Sequence, residues 1–242
     1  LRIADEHKDY ETDLKYRPYR PVQRGLISLK ELAILAAFFF GAQLAITTWY
    51  SIKLIPILVF IWVYLVLMTK EFFVKKWLLR HPIIYMFSHM LIIPLIDIFI
   101  TACDWMSANG TPPSGLVWFV LLSYTNGMLI EIGRKIRSPE DEETGVDTYS
   151  RLWGLNKSCN IFLIWIVVSA LFAVKLGLLI HFFWPILICS GLFILVTSAI
   201  IYHFIRNPVP GKGQSIERLS GYWVLASYLM IGIIPMVLNL SQ

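Results

Sequence analysis

Residues 5–13 read Asp-Glu-His-Lys-Asp-Tyr-Glu-Thr-Asp. Asp5, Asp9 and Asp13 recur every four positions, which on a helix stacks them into one stripe about 12 Å long. Like charges at this spacing repel, so three in a row predict a cation that neutralises them. Carboxylate oxygens suit a hard divalent ion, and Mg²⁺ takes one or two carboxylates together with substrate phosphate oxygens. The chemistry the stripe suggests is a Mg²⁺-bridged diphosphate.

Next comes Arg17-Pro18-Tyr19-Arg20-Pro21-Val22-Gln23-Arg24-Gly25. Proline fixes its own φ and disfavours helix before it, so two Arg-Pro pairs stiffen the exit from the acidic segment. Arg17, Arg20 and Arg24 can then be held as forks, the shape that matches phosphate oxygens. The plainer alternative is a set of juxtamembrane arginines that fixes topology or binds lipid head groups. A second acidic run spans 131–150, with Glu131, Arg134, Lys135, Arg137, Glu140, Asp141, Glu142, Glu143 and Asp147. Two acidic clusters, each interleaved with cations, favour a polar site over charge runs that are merely solvated. Glu131 and Lys135 are one helical turn apart, the spacing of an internal ion pair.

What must position these groups is a membrane bundle. Of 242 residues, 57% are hydrophobic and 15% charged, against about 25% charged in ordinary globular chains. Mean hydropathy is +0.66, and the apolar residues are gathered into long blocks. Disorder, a disulfide scaffold and a soluble enzyme are excluded. Cys103, Cys159 and Cys189 lie far apart in apolar segments; they form no metal-binding pair and are expected to be buried small hydrophobes. A spanning helix needs about 20 apolar residues. Such runs occur at about 29–50, 53–69, 82–105, 115–136, 155–174, 179–205 and 219–240. None alternates with period two, so a β-barrel is disfavoured.

These spans divide the loops between two sides. One side carries 1–28, 70–81, 137–154 and 206–218; the other carries the 50–53 turn, 106–114, the 175–178 turn and the C-terminus. Only Lys53 and Lys175 of the 21 lysines and arginines fall on the second side. The first side is therefore cytoplasmic, or its organellar equivalent, and it holds both acidic clusters. The net charge of +5 reports topology, and nucleic acid is not an expected partner. Residues 70–82 mix apolar and basic types and read as a short interfacial helix. His89 and Asp97 are costly within a span and are expected to face the bundle interior. His89 is a candidate to orient an acceptor, and Asp97 a structural hydrogen-bonding group. Asn-x-Ser/Thr triplets at Asn109, Asn156 and Asn239 are too short to carry an argument.

Asp5-Glu6-x-x-Asp9-x-x-x-Asp13 followed by Arg20-Pro21-x-x-x-Gly25 resembles the first signature of the UbiA superfamily of intramembrane prenyltransferases. Asp5 replaces the usual Asn and Glu6 the usual Asp; both keep oxygen ligands. The resemblance implies Mg²⁺ held by Asp5, Glu6, Asp9 and Asp13, and an all-α, polytopic bundle of nine helices. Seven follow the motif here, and two earlier ones are expected to be missing. The whole of 1–242 reads as one integral-membrane prenyltransferase-like domain. The family's second motif, D-x-x-x-D, falls in the loop that holds Glu131–Ser150, and Gly145-Val146-Asp147-Thr148 before Leu152-Trp153-Gly154 is similar to the family's stretch there. No strict D-x-x-x-D is present. Asp141 is the candidate carboxylate of that site, followed by Glu131 and Glu142. Arg134 and Lys135 are expected to contact the diphosphate in place of a second metal, and Lys70 or Lys75 to touch it from the 70–82 loop.

The implied activity is Mg²⁺-dependent transfer of a polyprenyl group from its diphosphate to a small hydrophobic acceptor, aromatic or quinone-precursor, within the bilayer. Asp9, Asp13 and Asp141 are the expected catalytic carboxylates. Three alternatives stand beside it. They are a phospho-alcohol transferase (whose D-G-x-x-A-R lead is absent), a prenyl-diphosphate cyclase or hydrolase on the same fold, and a non-catalytic subunit of a larger membrane complex. A transporter fits worst, because the polar groups gather at one mouth and not near the midplane.

Overall fold

The computed structural model describes residues 2–108 and 110–240. Asn109 and Ser241, each part of an Asn-x-Ser/Thr triplet, fall outside them. Among the described residues the chain is 81% helical with no strand, and seven helices are long and apolar enough to cross a membrane. The chain divides into two compact units, Leu1–Pro112 and Pro113–Gln242.

The first unit begins with α1 (Arg2–Lys8) and α2 (Tyr10–Tyr16), which precede the membrane helix α3 (Leu29–Tyr50). The start of α3 is set by a reciprocal cap. Glu31 N–H donates to Ser28 Oγ at 3.2 Å, and Ser28 N–H donates to the Glu31 carboxylate at 2.7 Å, which satisfies two orphan donors of the first turn. A 3₁₀ turn at Ile52–Leu54 leads into α4 (Ile55–Thr69), whose Pro56 sits in the first turn, where no N–H is needed. A tight turn and the short α5 (Lys75–Arg80) connect to α6 (Pro82–Met90) and α7 (Ile92–Ala108), which together make one span. In α5, Leu78 is buried while Trp77 and Leu79 are exposed, the pattern expected of a helix at the lipid interface. Ile61, Met68 and Ile92 form this unit's apolar core, with Tyr64 and Phe72 packed against it.

The second unit is built on α8 (Leu116–Arg134), followed by α9 (Tyr149–Trp153), α10 (Leu155–Leu179), α11 (Phe183–Arg206), α12 (Gly213–Tyr228) and α13 (Ile234–Leu240). Helix α8 packs on α10 and α12, and α10 packs on α11. Buried hydrogen bonds tie three of these helices together: Asn126 Nδ2 donates to Ser227 Oγ (3.1 Å), Ser169 Oγ to Asn126 Oδ1 (2.9 Å) and Trp223 Nε1 to Ser169 Oγ (2.8 Å). Polar groups of this kind act as interhelical glue where water is absent. A π-helical turn, Leu229–Ile233, joins α12 to α13.

Three expectations need correction. The turn after the fifth span lies at residues 180–182, not 175–178, and its left-handed residue is His181 (φ 56°). Gly177 is a packing position within α10. A Cβ there would lie 2.9 Å from Ile186 Cδ1 and 3.3 Å from the Phe182 carbonyl oxygen. Lys175 consequently stays in α10, with its Nζ 5.6 Å from the centre of the Trp118 ring. The last span starts at Gly213, ahead of its apolar stretch. Of the three cysteines only Cys159 is buried, whereas Cys103 is half-buried and Cys189 exposed.

Candidate functional site

The acidic stripe exists as spacing predicts. Backbone angles depart from helix at Asp9, yet Asp9 N–H still donates to the Asp5 carbonyl at 2.9 Å and Asp13 N–H to the Asp9 carbonyl at 2.8 Å. Burial deepens along the stripe: Asp5 is exposed, Asp9 half-buried, and Asp13 only 2% exposed. Asp13 is held by the Arg-Pro turn, its Oδ2 by Arg20 Nη1 and its Oδ1 by Arg17 Nη1 at 3.4 Å. The turn itself closes through Arg20 N–H to the Arg17 carbonyl, Arg24 N–H to the Arg20 carbonyl and Gly25 N–H to the Val22 carbonyl. Gly25 has φ +74°, a region that glycine enters without the Cβ penalty. Arg24 is exposed and forms no ion pair with any described carboxylate.

Asp5 and Asp9 likewise pair with no cation among the described residues. Burial pushes the Asp9 carboxyl above its ordinary range; the charges of Asp5 and Asp13 add to the rise, and Lys8 and Arg20 oppose it. Buried Glu6 accepts at Oε1 from Arg2 Nη2 at 2.6 Å, and its Oε2 has no partner among the described residues. Both amide atoms of Gln23 are also buried and unpartnered.

Sequence reasoning missed a third element of this unit. Lys8 Nζ lies 2.8 Å from Glu71 Oε1 and 2.8 Å from the Tyr85 hydroxyl. Burial alone would lower the Lys8 pKa, but the hydrogen bonds to Glu71 and Tyr85 more than reverse this and hold it above the usual range. Glu71 is 3% exposed, and its Oε2 has no partner. It opens a left-handed turn in which Glu71, Phe72 and Phe73 have φ of 50°, 52° and 60°. That conformation costs about 1–2 kcal/mol per L-residue. The Lys8 pair on one side, and the packing of Phe72 against Tyr64 and His89 on the other, hold it in place. The signal available in sequence was slight: Glu71 is the one acid among basic and apolar residues 70–82. Lys70 is exposed at the end of α4, and Lys75 is exposed in α5. His89 stacks on Tyr85 with ring centres 3.9 Å apart, and its Nδ1–H donates to the Tyr85 carbonyl at 2.9 Å.

In the second unit, the acidic cluster is bound up by its own chain. Glu131 is 4% exposed, with Oε2 held by Arg134 Nε at 2.6 Å and Oε1 by Lys135 Nζ at 3.0 Å. Asp141 Oδ2 accepts from Ser138 Oγ at 2.6 Å and from Gly211 N–H at 2.7 Å. These bonds, the Ser138 one first, hold the Asp141 carboxyl below the usual range. Glu142 accepts from Thr148 Oγ1 at 2.6 Å and from Ser150 Oγ at 2.7 Å. Thr148 in turn caps α9 through Arg151 N–H.

Among the described residues, no three acids, histidines or cysteines gather closely enough to cage a metal by themselves. The residues of the first unit nevertheless fit Mg²⁺ presented with a diphosphate, which needs only one or two carboxylates from the protein. Asp5 and Asp9 are unpaired, Glu6 Oε2 is orphaned in the same segment, and Arg17, Arg20 and Arg24 follow within one turn. Buried polar atoms without partners call for an explanation such as a bound ion or ligand.

Comparison with known proteins bears on this chemistry. The model of the UbiA prenyltransferase family matches residues 2–231. Digeranylgeranylglyceryl phosphate synthase of Thermococcus sibiricus (strain DSM 12597 / MM 739) is 26% identical over 236 residues, covering 94% of this chain and 78% of that protein. No solved structure matches. With the signature residues assembled in the first unit and the family match running over nearly the whole chain, the protein belongs to the UbiA prenyltransferase family.

Proposed function

We propose that the chain carries out Mg²⁺-dependent transfer of a polyprenyl group from its diphosphate to a small hydrophobic acceptor in the membrane. The observation that carries this reading is the pairing of open carboxylates at Asp5 and Asp9 with an arginine-rich turn, beside buried oxygens that the protein leaves unsatisfied. Asp5, Glu6 and Asp9 would hold the metal. When bound, Mg²⁺ would offset charge on the diphosphate as it becomes a leaving group. Arg17 and Arg20 turn from Asp13 to the diphosphate oxygens, joined by Arg24 and Lys70, and stabilise negative charge as the C1–O bond breaks. Asp13, once free of the arginines, would be a further carboxylate able to hold the metal. In the second unit, Arg134 and Lys135 are the cations proposed for the diphosphate. Asp141 and Glu131 would join a metal only by giving up, respectively, the Ser138 and Gly211 bonds and the Arg134 and Lys135 pairs, so this reading leaves the metal to the first cluster.

The acceptor favoured here is an aromatic or quinone-precursor compound. The archaeal relative's name points instead to a glyceryl phosphate lipid, and this chain's acceptor is the finer question. The test is diphosphate release from an isoprenyl diphosphate by protein in lipid nanodiscs, with Mg²⁺ present or chelated. Release that needs Mg²⁺ and rises when acceptor is added supports the reading. Tight donor binding with no release under any acceptor would instead support a non-catalytic subunit.

A further inference from the structure

The Lys8–Glu71–Tyr85 group has no role in holding a diphosphate, because its free oxygen is an anion. Glu71 is buried and strained, which is the state of a group kept in place for a purpose beyond stability. Its Oε1 is neutralised by Lys8, while Oε2 faces no donor among the described residues. The Tyr85 hydroxyl accepts from Lys8, so its own hydrogen remains available to donate. Stacking on His89 fixes the Tyr85 ring. Lys8 is the chain neighbour of Asp9, and its 2.8 Å hydrogen bond to the Tyr85 hydroxyl sets the group beside the stripe. Next to the stripe there is thus one buried acceptor oxygen and one hydroxyl donor, set around an already neutralised charge pair.

We infer that Glu71 and Tyr85, held by Lys8, form the subsite for an uncharged hydroxyl-bearing acceptor, with Glu71 Oε2 as the base that takes its proton. The inference rests on the prenyl-transfer reading and narrows its acceptor class. Tyr85 donates to a second oxygen of the acceptor or to its ring face. As the acceptor oxygen bonds to prenyl C1, the C1–O bond to the diphosphate breaks and the diphosphate leaves with that electron pair. The acceptor's proton passes to Glu71. An acceptor with its own carboxylate or phosphate meets the unneutralised side of Glu71 and is disfavoured by like-charge repulsion in a poorly solvated place.

The test uses the full chain in nanodiscs with an isoprenyl diphosphate and two matched acceptor pairs: a naphthohydroquinone and its carboxylate, and a glyceryl monoether and its phosphate. Wild type should favour the neutral member by at least about 10-fold in kcat/KM. Glu71→Gln should lower neutral-acceptor transfer by about 100-fold. It should also invert the preference, because Lys8 is left as a bare cation. Glu71→Asp should keep the preference at reduced rate. The double variant Lys8→Gln/Glu71→Gln should lose the preference in either direction. Binding of a non-hydrolysable donor analogue should stay within about 2-fold in Glu71→Gln and Glu71→Asp, which leave Lys8 and the phosphate contacts in place. An unchanged preference in Glu71→Gln, a loss of donor binding in that variant, or a wild type that binds donor yet rejects both neutral acceptors would each overturn the inference. A wild type that binds no donor analogue would instead sink the prenyl-transfer reading itself.

Discussion

The two acidic clusters are alike in composition and opposite in how their charges are spent. In the second unit, Glu131 is held by Arg134 and Lys135, Asp141 by Ser138 and Gly211, and Glu142 by Thr148 and Ser150. Three carboxylates there fasten a loop and a helix cap. In the first unit, Asp5 and Asp9 have no paired cation, and Glu6 and Glu71 each bury an oxygen with no partner, among the described residues. Counting acids would rank the clusters equally; asking which acids the protein already satisfies separates them. Unsatisfied buried polar groups cost free energy, so their concentration in one place marks where a ligand completes the structure.

The sharpest way to break this contrast is to remove one charge from the open cluster. Asp9→Ala should reduce prenyl transfer by at least about 100-fold, the scale of losing one preorganised group that stabilises developing charge, with little change in thermal stability. Rate assays and melting curves on the same preparation check both halves.

Removing a charge from the pinned cluster should have the reverse profile. Glu131→Gln leaves Arg134 and Lys135 facing each other without their anion. Arg134 is 54% exposed and Lys135 29%, so solvent screens much of the loss. A cost of about 1–2 kcal/mol, or a Tm lower by about 3–6 °C, is expected. Asp141→Ala removes two hydrogen bonds at an accessible site and should cost less than about 1 kcal/mol. Its donor affinity should stay within about 2-fold of wild type. Loss of Mg²⁺-dependent binding at unchanged Tm would return Asp141 to the metal site.

The smallest effect is in pH dependence. A carboxyl whose pKa is raised binds its proton at higher pH, so Mg²⁺-dependent donor binding through Asp9 should begin to fail earlier on acidification than an ordinary aspartate allows. Asp5 contributes to that rise by like-charge repulsion. Asp5→Asn should therefore move the acid limb of binding to lower pH. The same sign applies to folding. Ionised Asp9 is a liability of the ligand-free protein, so Asp9→Asn should raise Tm slightly in the absence of Mg²⁺ and lose that advantage in its presence.

Much of this was legible in the residues. Leu29–Tyr50 falls where its apolar run does, because Ser28 and Glu31 are a cap written in sequence. The stripe and the Arg-Pro turn were readable because both are local, set by spacing and by proline. In the second cluster the Glu131–Lys135 pair was readable from its one-turn spacing and forms at 3.0 Å, but the pin on Asp141 was not, since Gly211 lies 70 positions away and supplies only a backbone N–H. Glu71 was hidden for another reason: three L-residues in a left-handed turn contradict every local preference, and tertiary contacts to Lys8, Tyr64 and His89 sustain them. Lys175 was placed in a turn because it interrupts the apolar run, whereas the helix continues through it to Leu179 and packs Gly177 against Ile186.

The most direct test of the central claim is Mg²⁺-dependent binding of a non-hydrolysable polyprenyl diphosphate analogue, titrated in parallel on wild type, Asp9→Ala and Asp141→Ala. The account predicts binding by wild type and Asp141→Ala, and its loss in Asp9→Ala. Binding that survives Asp9→Ala but disappears in Asp141→Ala would contradict it, and would mean that the satisfied cluster, not the open one, holds the donor.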